Sequence, residues 1–182
     1  MRRRDFREWS LMSAVMILSK TEQQALVSPR FFTLRRNAGL FALALWFASL
    51  TQPVIWPCGG TDFFGRYPPY KGFEIMVTGW MGPLEGQVGW FANPLMIIVI
   101  GGLLLESRVG IWPALISLGL AASSFWWTSL STEHEPRKLC EHGPGFYLWI
   151  ACAVFLAATA IIERFMEIRA RVAKANGRWV AS

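Results

Sequence analysis

The sequence predicts an all-α, polytopic membrane protein with four transmembrane helices, both termini in the cytoplasm, and short helices at the interface. Three observations carry that prediction. The first is composition: 53% of the 182 residues are hydrophobic and only 16% are charged, where a soluble domain has about a quarter charged. The second is charge spacing. Residues 37–61, 86–105, 109–132 and 142–162 form windows of 25, 20, 24 and 21 residues without one Asp, Glu, Lys or Arg, and a spanning helix needs about 20 mainly apolar residues. The third is the sign of what remains. Eight Lys or Arg precede residue 37, one lies at 106–108 and five follow residue 162, against two in each of the other two loops. This 14-to-4 bias fixes the orientation by the positive-inside rule.

Taken in order, residues 1–36 form a cytoplasmic segment. Arg2, Arg3 and Arg4 before an apolar run mimic a signal peptide, but no small-residue cleavage site follows. An amphipathic helix with Phe6, Trp9, Leu11 and Met16 against the inner leaflet fits better. Ser19 and Glu22 fit a capping box, and Pro29 is expected to stop the helix it starts. The transmembrane domain is placed at 37–166, with spans at about 38–56, 83–105, 110–130 and 145–163, and a basic cytoplasmic tail at 167–182. The first outer loop is rich in Gly, Pro and aromatics, so turns are expected, with Phe63, Phe64, Tyr67 and Tyr70 at the interface.

Residues 71–106 are longer than one straight span needs. Phe73, Met76, Val77 and Trp80 recur at helical spacing. A short surface helix broken at Gly82-Pro83, followed by the second span, is one geometry; a single long kinked helix is the other. Pro94 inside the span predicts a kink near Trp90. Asn93 beside it is suited to tie off the carbonyl that the proline leaves unbonded. Gly79, Gly82, Gly86 and Gly89 would line one face of a continuous helix and admit a close neighbour. Gly119 and Ser123, and Ala153 and Ala157, offer matching faces. The second and third spans each carry a proline in the first turn, Pro83 and Pro113, and the fourth begins at Gly143-Pro144-Gly145.

Chemistry is sparse. No ionisable residue lies inside a span core, which argues against a proton-coupled pump. Cys58 and Cys140 fall one in each outer loop, where a disulfide could tie the loops or leave two free thiols. A thiol oxidoreductase would need a second pair, and only Cys152, within the fourth span, is left. His134, Cys140 and His142 share a loop and are weak metal candidates, lacking the regular spacing of a zinc motif. With both histidines in one loop, none remains on facing helices for haem. No cofactor is expected, and no phosphate loop, nucleophile elbow or zinc-protease helix is present.

Two segments, GWMGPLEGQVGWFANP and HGPGFYLWIAC, together resemble a family of small bacterial integral membrane proteins of uncharacterised activity, in which a Gly-Trp-rich stretch ends in Trp-x-Ala-Asn-Pro. The resemblance covers roughly residues 38–165. It implies the same four spans and no activity.

The function expected from these readings is non-enzymatic: a multi-pass protein of the bacterial inner membrane that engages lipid or a partner membrane protein, the partner candidates being the lipid bilayer, another membrane protein or a second copy of itself. The alternatives are an outer-face thiol-redox or ligand-binding protein using Cys58 and Cys140, and, more weakly, a passive channel or carrier. The net charge of +6 divides into +8 inside (14 minus 6) and −2 outside (4 minus 6). It is therefore an orientation signal, and nucleic acid is not an expected partner.

Overall fold

A computed structural model describes residues 29–59, 67–85, 87–107, 110–130 and 137–179. Four helices run alternately up and down: α1 (Pro29–Thr51), α3 (Ala92–Leu104), α4 (Ile111–Ser123) and α5 (Pro144–Trp179). Each packs on its two neighbours in the ring α1–α3–α4–α5. A fifth, α2 (Gly72–Thr78), lies across one end, continued by 3-10 helices at Gly79–Glu85 and Val88–Phe91; a third 3-10 turn, Ser124–Trp126, extends α4.

The all-helical expectation omits one feature. Residues at that same end form a four-stranded antiparallel sheet in the order β2-β1-β4-β3, built from β1 (Pro53–Pro57), β2 (Tyr70–Lys71), β3 (Ser129–Leu130) and β4 (Arg137–His142). Pro53 ends α1, because proline has no N–H to continue the ladder. The chain then extends, with Ile55 opposite Tyr70 on one side and His142 on the other. Residues 53–56, placed in the first span by sequence, are thus strand. That helix instead starts earlier, at Pro29, where a proline's missing N–H is tolerated. Pro29 begins a helix rather than stopping one. The 1–36 segment therefore overlaps α1, and its amphipathic helix and capping box lie outside the described residues, as do Phe63 and Phe64.

The stretch 71–106 is neither a single kinked helix nor a clean pair. It is α2, two 3-10 helices and α3. Pro94 sits in the first turn of α3, so no kink interrupts a longer helix. The glycine stripe is corrected with it. Gly79 and Gly82 lie in one 3-10 helix, Gly89 lies in the other, and Gly86 is outside the described residues. They share no continuous helical face. They admit local fold-back instead: a Cβ at Gly79 would strike the Trp90 ring, and one at Gly89 would strike the Ser124 hydroxyl and the Trp127 ring. Gly119, expected to match them, has nothing within 4 Å, whereas Ala153 and Ala157 are buried.

The bundle core contains Ala42, Trp46, Met96, Val99, Ile100, Leu103, Ala114, Ala121, Cys152 and Leu156. Small residues on α1, α4 and α5 let the backbones approach closely, and Cys152 Sγ lies 3.4 Å from the Ala42 carbonyl. A second cluster, Val54, Ile55 and Phe146, sits under the sheet. Only α5 among the described helices is both long and apolar enough to cross a membrane by itself, over Pro144–Val172; the apolar stretches Val88–Leu104 and Ile111–Trp126 are shorter. The chain is mostly helical, with one helix of membrane-crossing character.

The two ends of the bundle are fastened differently. At the sheet end, Cys58 and Cys140 are bonded, with Cα atoms 5.1 Å apart, and the Cys58 N–H donates to the Lys138 carbonyl at 2.8 Å. At the other end, Arg35 Nε donates to Glu163 at 2.7 Å, and its terminal nitrogens donate to the carbonyls of Glu106 (3.4 Å) and Ser107 (3.0 Å). One guanidinium thus joins α1, α5 and the α3–α4 turn. That turn contains the left-handed residue Glu106 (φ 55°), a conformation costing a non-glycine residue about 1–2 kcal/mol. The two ionic side chains are only 10% and 23% exposed, so losing one strands the other. Arg35→Met is expected to destabilise by roughly 2–4 kcal/mol, read by thermal unfolding in mild detergent. Glu163→Gln, which keeps an acceptor, should cost less. Equal melting of Arg35→Met and wild type would remove the clamp from the account.

Candidate functional site

The described residues bring a buried amide and the indoles of two other helices together where α3 begins. Pro94 has no N–H to give the Trp90 carbonyl, and the Asn93 side-chain nitrogen donates to that carbonyl at 3.2 Å. This turns Asn93 Oδ1 toward the bundle interior. There it accepts two indole N–H bonds, from Trp46 on α1 (3.2 Å) and Trp149 on α5 (3.0 Å). The Trp90 indole N–H donates to the Met76 carbonyl on α2 at 2.8 Å. Asn93 is buried, as is Trp46. A buried amide or indole is costly unless bonded; here each supplies what the others need.

Above this node opens a small pocket, part of it continuous with the outside. Trp90, Trp127, Phe146 and Trp149 form its aromatic walls, with Met76 and Asn93 among the remaining lining. About 40 Å³ of it admits the centre of a water molecule, against roughly 10–15 Å³ for one water. Among the described residues no titratable side chain lines it, and its Ser49 hydroxyl is already bonded to the Trp46 carbonyl at 2.6 Å. The pocket offers no general base. It is built to hold an apolar group beside one amide.

Next to it, the His142 ring lies 4.1 Å from the Phe146 ring, centre to centre, and Phe125 meets Phe146 edge-on at 5.0 Å. Burial holds the His142 pKa below the usual histidine value, outweighing a backbone hydrogen bond with Ser124 that acts the other way. The ring is therefore mainly neutral at pH 7. His142 Nε2 and the Ser124 hydroxyl are buried with no hydrogen-bond partner among the described residues.

No known protein family matches this chain, and no curated protein or solved structure is significantly similar to it. The site therefore has to be read from its own residues.

The sequence candidates distribute as follows. Cys58, directly after β1, and Cys140, in β4, are joined across the two central strands of the sheet. Asn93 and Pro94 lie at the node. Gly79, Gly82 and Gly89 shape the 3-10 turns around the pocket. The metal trio is not assembled: Cys140 is spent in the disulfide, His134 lies outside the described residues, and His142 faces aromatic rings. Among the described residues no group of three potential ligands is found. Trp46 and Trp149 were not singled out as partners of Asn93. The available signal was the general need of a buried indole N–H for an acceptor, with Asn93 and Gln87 the only amides in the second window.

Proposed function

We propose that the protein is a non-enzymatic, four-span protein of the bacterial inner membrane whose sheet-bearing outer end engages lipid, an acyl chain entering the aromatic pocket. The observation that carries this is the outward surface of the bundle. Phe41 and Phe47 on α1, Ile97 and Ile98 on α3, Trp112 and Ile116 on α4, and Val154 and Ile161 on α5 are all exposed. Large apolar patches of this kind mark contact with membrane or partner, and here they ring every helix. The shorter helices also reach far enough. At 1.5 Å per residue in an α-helix and 2.0 Å in a 3-10 helix, Val88–Leu104 rises about 28 Å and Ile111–Trp126 about 26 Å, close to the roughly 30 Å of hydrocarbon. At the outer end, Phe73, Val77, Trp80 and Met81 are exposed along α2 and the 3-10 helix after it, a stripe suited to the interface.

Two measurements test the reading. The protein should stay in the membrane pellet through alkaline carbonate extraction; release into the supernatant would sink the four-span topology. In vesicles doped with a lipid carrying a diazirine in its acyl chain, crosslinks should map to Met76, Trp90, Trp127 and Trp149 as well as to the outward faces. Labelling confined to outward residues such as Phe41 and Ile98 would remove the pocket from the proposal. The thiol-redox alternative draws little support, since Cys152, its only further cysteine, is buried in the bundle core.

A further inference from the structure

Beyond the Arg35–Glu163 pair, α5 continues from Glu163 to Trp179, sixteen residues further on, or about 24 Å. Starting at Ile161, just before that pair, and continuing on the extension with Phe165, Ile168 and Val172, apolar residues follow each other at intervals of four, three and four, and all are 46–54% exposed. The same spacing runs on in the sequence to Ala175 and Trp179. At about 100° per residue the first four positions fall within roughly 60° of arc. Glu163, which meets α1, lies about 160° away from Ile161 by the same count. The seam therefore faces away from the bundle. It is the heptad pattern of a helix that packs on another helix.

Basic side chains border it on both sides. Arg164 and Arg171 flank one edge and Arg169 the other, all exposed, and the Arg169 guanidinium lies 4.6 Å from the centre of the Phe165 ring. Glu167 meets Arg164 at 3.1 Å and Arg171 at 4.0 Å, outside the seam. With Lys174 and Arg178, residues 164–179 carry five positive charges and one negative, a net of +4.

We propose that this face docks an amphipathic helix of a partner protein, whose apolar seam is bordered by Asp and Glu. The charges argue against the other occupants. A parallel second copy would set Arg164 of one chain against Arg169 of the other, and an antiparallel one would set Arg164 and Arg171 against each other. Residues 1–28 of this chain hold five Lys or Arg against three acids, a net of +2, the wrong sign. A leaflet surface would cover the first turn only. Val172 lies nine residues beyond Glu163, about 14 Å along the same unbroken helix, whereas headgroups extend roughly 5–8 Å past the hydrocarbon. That last step, and the side of the membrane on which the partner lies, rest on the four-span reading; the seam and its charges do not.

The test uses the full chain in neutral detergent micelles and two labelled three-heptad peptides. Both have Leu at the seam positions; one has Glu at the flanking positions and the other Lys. Fluorescence anisotropy at low salt should show saturable binding of the Glu peptide and at least about tenfold weaker binding of the Lys peptide. Ile168→Asp and Val172→Asp, on an exposed face, should abolish binding while the thermal melt of the bundle stays in place. Arg164→Glu with Arg171→Glu should reverse the preference between the peptides. Equal binding of both peptides, or binding that survives Ile168→Asp and Val172→Asp, overturns the proposal. So does sedimentation showing that the chain dimerises through this seam, or anionic vesicles displacing the Glu peptide. Release in carbonate would defeat the four-span topology and leave the peptide result standing.

Discussion

Removing the bond between Cys58 and Cys140 is expected to cost about 2–4 kcal/mol of stability. The two residues are 82 apart in sequence, and a cross-link over so long a stretch removes much freedom from the unfolded chain, about 4.5 kcal/mol by the chain-entropy relation. Helices that persist in detergent shorten the effective loop, which places the result toward the lower end of the range. For a chain of this size each kcal/mol moves Tm by roughly 2–4 °C, so a fall of about 5–10 °C is expected when reductant is added. The Cys58→Ser, Cys140→Ser double variant should start from the lower Tm and ignore reductant. Wild type melting at one temperature in both conditions would show that β1 and β4 hold the sheet end without the cross-link. The sheet should survive in the variant because Cys58 N–H still reaches the Lys138 carbonyl. The loss is therefore one of tolerance to heat, with the fold retained.

Asn93→Leu is expected to be the second most damaging change. It strands two indole donors, Trp46 and Trp149, and removes from the Trp90 carbonyl the side-chain bond that stands in for the proline's missing N–H. A buried group left unpaired costs about 1–3 kcal/mol, and interhelical bonds within lipid average less. A combined loss of about 2–4 kcal/mol follows for the three. Trp149→Phe should cost less, because it removes the donor along with its need for an acceptor. In a thermal-unfolding cycle, the Asn93→Leu, Trp149→Phe double variant should lose less than the sum of the single losses. Additive losses would mean that the two side chains do not act on each other. The node also frames the pocket, so Asn93→Leu should weaken acyl-chain crosslinking at Trp149 more than at Ile98.

The charge-free windows locate the helices well, because burying or lipid-facing a charge is expensive wherever it occurs along a helix. Strands β1 and β4 escape the same logic. PVIWP continues an apolar run and reads as the end of a span, while RKLCEH is charged and reads as a solvated loop. Their pairing joins Ile55 to His142, a relation no local pattern encodes. The glycines at 79, 82 and 89 have helix-packing spacing, yet the Gly and Pro density that supplied it also weakens an α-helix, and 3-10 turns result. Asn93 was legible as an amide in an apolar segment. Its partners were not, since Trp46 and Trp149 lie 47 and 56 residues away. In the sequence Arg35 and Glu163 simply stand beside charge-free windows; the clamp they form depends on how α1 and α5 pack.

That clamp has a consequence for how the chain is made. Arg35 is among the first described residues to be synthesised, and its carboxylate partner follows 128 residues later. Until Glu163 arrives, Arg35 lacks its carboxylate, and the turn at Glu106 rests on Arg35 and on its own backbone bonds, such as Ser107 N–H to the Gly102 carbonyl. A chain interrupted before residue 163 lacks the carboxylate that holds Arg35 to α5, and an earlier stop removes Trp149 and then Cys140 as well, so the fastenings become available in the order disulfide, indole bond, ion pair.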